Sequence, residues 1–258
     1  MSERSIAASL AAQVRAAELD WIVPEWPAPA NVGALSTTRR GGVSVGPAAS
    51  MDRFASFVPS SPLWLRQVHG AGVAVLDAAT IETARTAPPV ADAAVTREHG
   101  VVCAVLTADC LPVVLADRAG TVVGIAHAGW RGMAGGVIEA TVEALVALDA
   151  TRDRLVGWLG PAIGPRAFEV GTDVRDAFAA RDAGAVGCFE PLREGKWLAD
   201  LYALARRRLA AAGVGEVHGG GECTFTDAER FYSHRRERDA GRMATLVWLG
   251  ASAAHARL

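Results

Sequence analysis

The sequence is poor in several features that specialised proteins need. It has 4 cysteines in 258 residues, too few to staple a chain of this length. A disulfide scaffold is excluded, and free thiols in a reducing cytoplasm are expected. No apolar run approaches the ~18–20 residues of a bilayer span, and Arg4, Arg15, Glu18 and Asp20 interrupt the N-terminal stretch that an export signal would keep apolar. Neither a membrane partner nor export is expected. Aromatic residues make up 6%, and 26 basic against 28 acidic side chains leave a net charge of −2, so the concentrated basic surface of a nucleic-acid binder is missing too. Lysine occurs once, in Glu194-Gly195-Lys196-Trp197. Schiff-base chemistry and a lysine-bearing phosphate loop therefore lack a well-placed candidate, and a bound phosphate must be held by arginine or backbone amides.

What is present is an ordinary globular composition, 51% hydrophobic. The chain divides into an N-terminal helix and proline-rich arm, residues 1–30, and a single catalytic domain, residues 31–258. Alanines over 5–19 predict a surface helix, Pro24, Pro27 and Pro29 a connector, and 45–62 a loop after the glycine turn at 41–42. Apolar β-rich runs at 63–68, 72–76, 101–107, 111–116, 121–126, 155–159 and 244–249 read as strands. Helical spacing appears at about 134–148, 172–181 and 197–212. Pro112 argues against a central sheet position for 111–116, and Arg206, Arg207 and Arg208 are expected on the solvated side of the last helix. Consecutive strands through 101–127 favour an α+β fold with mixed sheets over strict βαβ winding.

Two of the six histidines stand at loop ends with small neighbours that leave room for a ligand: His69 in Gln67-Val68-His69-Gly70 and His127 in Ala126-His127-Ala128-Gly129. Cys110 shares that setting at the chain reversal between two strands. Two imidazoles and a thiolate suit Zn²⁺, and three protein ligands with a fourth position open is the catalytic arrangement. Alternatively, Cys110 is a nucleophile with His127 as its base; the two roles compete, because a zinc-bound thiolate is committed as a ligand. No paired motif decides between these and the plain reading of a buried thiol and two hydrogen-bonded loop histidines. For anion contacts the candidates are Arg39 and Arg40 before Gly41, Arg235 and Arg236 after His234, and Arg131 at the start of a helix, whose positive end attracts phosphate.

Taken in order, Arg66-Gln67-Val68-His69-Gly70, Thr107-Ala108-Asp109-Cys110-Leu111-Pro112, Ala126-His127-Ala128-Gly129-Trp130-Arg131-Gly132 and Phe231-Tyr232-Ser233-His234-Arg235-Arg236 resemble the laccase-domain family. That family was formerly called multicopper polyphenol oxidases and is now described as purine nucleoside phosphorylases or peptidoglycan editing factors. The loop Gly160–Pro165 and the closing Gly241-Arg242-Met243-Ala244 match as well, so the likeness runs from about residue 35 to 250. The resemblance implies a layered α/β/β/α sandwich related to toxin-type cysteine hydrolases. It makes His69, Cys110 and His127 both metal ligands and catalytic groups, with zinc as cofactor and copper as the alternative. Gln67 and the five arginines become candidate substrate or phosphate contacts. The implied activity is phosphorolysis of adenosine, inosine and methylthioadenosine, with adenosine deamination beside it. The alternatives are an amidase that removes misincorporated serine from a peptidoglycan precursor and a copper polyphenol oxidase. Implied partners are a small nucleoside and phosphate, on a monomer or small homo-oligomer.

Two departures from the family pattern stand out. Ala48–Phe54 runs almost directly into Pro62-Leu63-Trp64, Asn31 is the only asparagine, and Asp52 stands near the place of the family's asparagine, so one wall of the substrate pocket is expected to be altered. His234 occupies the place of the family's usual tyrosine. The older label meets a count: two histidines and a cysteine make one blue-copper centre at most, and His99, His218, His234 and His255 are scattered without paired spacing. Standard nucleobase-deaminase spacing, H-x-E with P-C-x-x-C, is absent as well.

Overall fold

The computed structural model describes residues 5–40, 54–238 and 241–250. The turn at 41–42, most of the shortened segment with Asp52, and His255 lie outside these residues.

Among the described residues the largest sheet has six strands in mixed orientation, in the order β11-β7-β5-β6-β3-β2. These are β2 (Val73–Val75), β3 (Ala93–Thr96), β5 (Leu111–Asp117), β6 (Val123–Ala128), β7 (Leu155–Leu159) and β11 (Glu216–Gly219). A second sheet, order β1-β12-β4, joins β1 (Val32–Ser36), β12 (Met243–Leu249) and β4 (Val102–Thr107) antiparallel. A small third sheet is built from β8 (Glu169–Gly171), β10 (Lys196–Ala199) and β9 (Phe189–Arg193).

The period-2 alternation of the strands sorts their side chains into separate apolar layers. In β4, Cys103 and Val105 face the six-stranded sheet and meet Val114, Ala116 and Ile125, while Val102 and Ala104 face outward. That outer face is covered by α1 (Ile6–Ala16), through Leu10 and Val14, which lie one helical turn apart, and by Trp21 and Phe54. On the far side, Leu111, Val113 and Leu115 of β5 pack on α4 (Val137–Ala147) and α6 (Leu201–Ala211). The order is helix, six-stranded sheet, three-stranded sheet, helix: the expected α+β sandwich. Between β2 and β3 lies the short α2 (Ile81–Thr86); α5 (Thr172–Ala179) follows β8.

Several local expectations need correction. Pro112 does lie in a central strand, because it stands at the mouth of β5, before pairing to β7 begins at Val113; its carbonyl accepts from the Gly160 N–H at 3.0 Å. The helix expected at 134–148 is two helices, α3 (Trp130–Gly135) and α4, broken at Gly136, whose φ of +101° suits glycine. The run 197–212 opens as strand β10 and becomes helix only where the Asp200 side chain caps the Ala203 N–H at 2.9 Å. Residues 63–68 make only isolated bridges at Leu63 and Arg66. There the Gln67 amide takes the place of backbone, donating to the Leu106 carbonyl (2.9 Å) and accepting its N–H (2.8 Å). Arg208 is buried, not solvated: it pairs with Glu139 at 2.8 Å and donates to the Met133 carbonyl, bracing the end of α3.

Candidate metal centre

β4 belongs to one sheet and β5 to the other, so the Ala108-Asp109-Cys110 turn is where the chain crosses between them. His127 lies near the end of β6, beside Pro112 in the register, and thus next to that turn. His69 arrives on a separate loop in the left-handed conformation, φ +60°. One donor atom from each of His69, Cys110 and His127 falls within 4.8 Å of the others, the one such cluster among the described residues. The two rings meet edge to face, 4.8 Å between centroids.

Asp92, fully buried, holds the constellation together. It ends the apolar approach to β3, and its carboxylate accepts the N–H groups of Val68 (3.1 Å), His69 (2.9 Å) and Gly70 (2.7 Å). Three successive amides turned onto one anion stabilise the left-handed backbone at His69. The same carboxylate is 2.8 Å from His127 Nδ1. A carboxylate only accepts, so Nδ1 carries the proton and Nε2 is left for the centre, the orienting arrangement common behind metal-bound histidines. Burial works against the Asp92 charge, but its hydrogen bonds to His127, Gly70 and Val68 win and hold the carboxyl below its ordinary value.

Burial raises a thiol, yet hydrogen bonds from His127 and His69 bring Cys110 down to about 6. Burial likewise opposes the His127 charge, and the bonds to Asp92 and Cys110 push it up to about 9. Without a metal the pair is thiolate and imidazolium near neutrality. Space is kept by glycine: a Cβ on Gly129 would lie 2.8 Å from Cys110 Sγ, and one on Gly132 2.8 Å from the Gly70 carbonyl.

Asp109 ties the turn to the distant Phe231–Arg236 motif. One carboxylate oxygen accepts from the Thr224 hydroxyl at 2.6 Å, the other from the Ser233 hydroxyl (3.0 Å) and the Arg235 N–H (2.7 Å). Two clefts border the cluster. The larger, about 580 Å³, is walled by Trp130, Phe168, Arg131, Arg235 and Arg238. The smaller, about 420 Å³, is walled by Leu65, Gln67, Leu106 and Arg242. His69, Cys110, Ala108 and His234 border both.

The arginines part company. Arg131 stacks over Trp130 (4.5 Å), and Arg235 over Phe168 (5.5 Å) with one N–H on the Glu169 carbonyl; both face the larger cleft. Arg236 spends its guanidinium on the carbonyls of Thr224, Phe225 and Phe231 and on Glu237. Arg39 is paired with Glu237 at 3.1 Å and lies over Tyr232, while exposed Arg40 offers its carbonyl to Trp21. Neither borders the two clefts. Gln67 borders the smaller cleft with both ends of its amide engaged by Leu106. Sequence reasoning missed Asp92, Asp109, Trp130, Phe168 and Arg238. The first had a signal, a lone acid inside Val90-Ala91-Asp92-Ala93-Ala94-Val95.

Residues 51–250 match the family described as multi-copper polyphenol oxidoreductase laccase. A Pseudomonas aeruginosa protein named purine nucleoside phosphorylase is 49% identical over 89% of this chain and 98% of its own length. Escherichia coli purine nucleoside phosphorylase YfiH is 46% identical over 88% and 98%. The crystal structure of a Neisseria meningitidis protein, 44% identical, superposes with a TM-score of 0.80 over 90% of this chain and all of its own. YlmD from Geobacillus stearothermophilus, 27% identical, gives 0.73 over 86% and 93%. With these likenesses spanning the whole sandwich and the His-Cys-His cluster at its sheet junction, the chain belongs to the laccase-domain family that includes YfiH.

Proposed function

We propose that this protein is a cytoplasmic zinc enzyme that splits purine nucleosides, adenosine, inosine and methylthioadenosine, with inorganic phosphate. The observation that carries the reading is that two members of the three-residue cluster, His69 and Cys110, line an aromatic, arginine-walled cleft. The donor set fits the metal: two imidazoles and a low-titrating thiolate are borderline to soft ligands, and exposed His69 leaves one side open. Bound there, zinc would supply a Lewis acid for a substrate oxygen or water. The names of the bacterial relatives support the substrate class.

The protein's own groups divide the remaining work. Trp130 and Phe168 offer flat apolar surface to a purine ring. Arg131, Arg235 and Arg238 supply the charge-assisted donors that a phosphate needs in a chain with a single lysine. Asp92 keeps His127 in one tautomer, and Asp109 keeps Arg235 in register with the turn that bears Cys110. Purified protein given inosine or adenosine should release base only when phosphate is present, and Cys110→Ala should lower that rate by on the order of 10³-fold or more. Base release that ignores phosphate, or survives in Cys110→Ala, would remove the proposal; ammonia release from adenosine tests deamination, and metal analysis separates zinc from copper.

One observation favours a second reading. Cys110, His127 and Asp92 also stand in the order thiolate, imidazole, carboxylate of a cysteine hydrolase. Such a site would attack an amide of a muropeptide precursor and release serine. Serine release that persists after chelation, without nucleoside turnover, would select it, because a zinc ligand and a free nucleophile are exclusive roles for one sulfur.

A further inference from the structure

His234 borders both clefts beside the proposed metal ligands, yet neither the cluster nor the arginine wall uses it. Its side chain is exposed, while the backbone beneath it is tied down. Ser233 and Arg235, its two neighbours, bond the same oxygen of Asp109, the residue immediately before Cys110. The Arg236 N–H returns to the Ser233 hydroxyl at 3.2 Å. An imidazole is thus held at a set position on the cleft wall that Cys110 also lines, and open to solvent. Its Nδ1 lies 3.1 Å from the Arg238 carbonyl. A carbonyl only accepts, so Nδ1 is the donor in that bond, and Nε2 is the nitrogen left outside it.

The geometry points to His234 as a further catalytic residue, the acid that protonates the departing purine. This role rests on the phosphorolysis reading above. A phosphate oxygen forms a bond to the anomeric carbon as the bond from that carbon to purine N9 breaks. The electron pair stays on the base, and the proton on His234 Nε2 passes to a purine ring nitrogen. Ribose 1-phosphate and neutral purine result, and the imidazole regains its proton from solvent on its exposed side. Arginine could not serve, since it keeps its proton at any working pH. Arg131, Arg235, Arg238 and Arg242 border the clefts as fixed positive charges.

His234→Asn is the informative variant: its amide can retain the bond to the Arg238 carbonyl while removing the Nε2 proton. Phosphorolysis of inosine should fall roughly 10²–10⁴-fold, the range for a lost general acid. Phosphorolysis of 7-methylinosine, whose base leaves as a cation-derived neutral group and needs no proton, should change by less than about threefold. Metal content should match wild type, and in His234→Gly added imidazole should restore part of the inosine rate. An equal loss on both nucleosides, or undiminished inosine turnover, overturns the role of His234 alone. A wild-type protein that splits neither nucleoside overturns the phosphorolysis reading, and this role with it.

Discussion

Cys103 and Cys110 stand seven residues apart at opposite ends of one stretch of chain, and the molecule makes opposite things of them. Cys103 points from β4 into the dry layer between the sheets, where burial pushes its thiol up to about 12. Cys110 is only half-buried, and hydrogen bonds from two histidines bring it down to about 6. The contrast separates two kinds of interior. Between the sheets every neighbour is apolar and the charged form has nothing to meet it. At the sheet junction the backbone runs out of ladder, and loops bring imidazoles, a carboxylate and turned amides to the same place.

The largest test of this contrast is chemical. At pH 7 in metal-free protein the thiolate fractions implied by the two values are roughly 0.9 and roughly 10⁻⁵. Iodoacetamide should therefore label Cys110 in preference to Cys103, which stays unmodified until unfolding. Because the thiolate is the reactive form, the Cys110 rate should rise with pH, reach half its plateau near pH 6, and drop as the group protonates below that. Peptide mapping across pH 4–9 checks it, and labelling of both thiols alike would erase the distinction; added zinc should protect Cys110.

Next in size is Asp92→Ala. Three N–H groups and His127 lose a buried acceptor, at about 1–3 kcal/mol for each donor left unpaired, and zinc affinity should weaken at least 10–100-fold. Urea unfolding and chelator competition measure the two losses. Unchanged affinity would mean that the left-handed His69 loop holds its shape without the carboxylate.

Gly129→Ala should be milder for the fold, about 1–3 kcal/mol as Cys110 is displaced, and should weaken zinc binding about tenfold or more while leaving far-UV circular dichroism unaltered. The smallest effect belongs to Cys103→Ala, a buried sulfur removed from an apolar layer. It should cost about 1 kcal/mol with metal content and turnover intact. A loss of activity there would show that the two interiors are coupled.

Much of the sandwich was legible because short apolar, β-rich runs mark strands buried on both faces, as β4, β5, β6, β7 and β12 do. The cluster was legible for a different reason: His69, Cys110 and His127 stand in motifs that resemble the laccase-domain family, whereas residue type and spacing alone left the ligand reading open. Pro112 misled because a proline's damage depends on whether its missing N–H faces a partner, which the register decides. Arg208 misled because three successive arginines look alike in sequence, whereas α6 turns one of them toward Glu139 and the end of α3. Gln67 reads in sequence as a substrate contact; in the fold it borders the smaller cleft with its amide bonded to the Leu106 backbone.

By itself the sequence marked the strand runs that build the sheets, through residue type and spacing along a local element, and pointed to three candidate ligands through their place in motifs that resemble the family. Only the tertiary structure decided what those ligands are worth. The charge on Cys110, the tautomer of His127, the backbone of His69 and the position of His234 all depend on Asp92 and Asp109, carboxylates that reach residues 22 to 126 positions away. Electrostatic fields add up over space and not over sequence, so a site assembled from four separate loops acquires its chemistry only when the sheets bring those loops together.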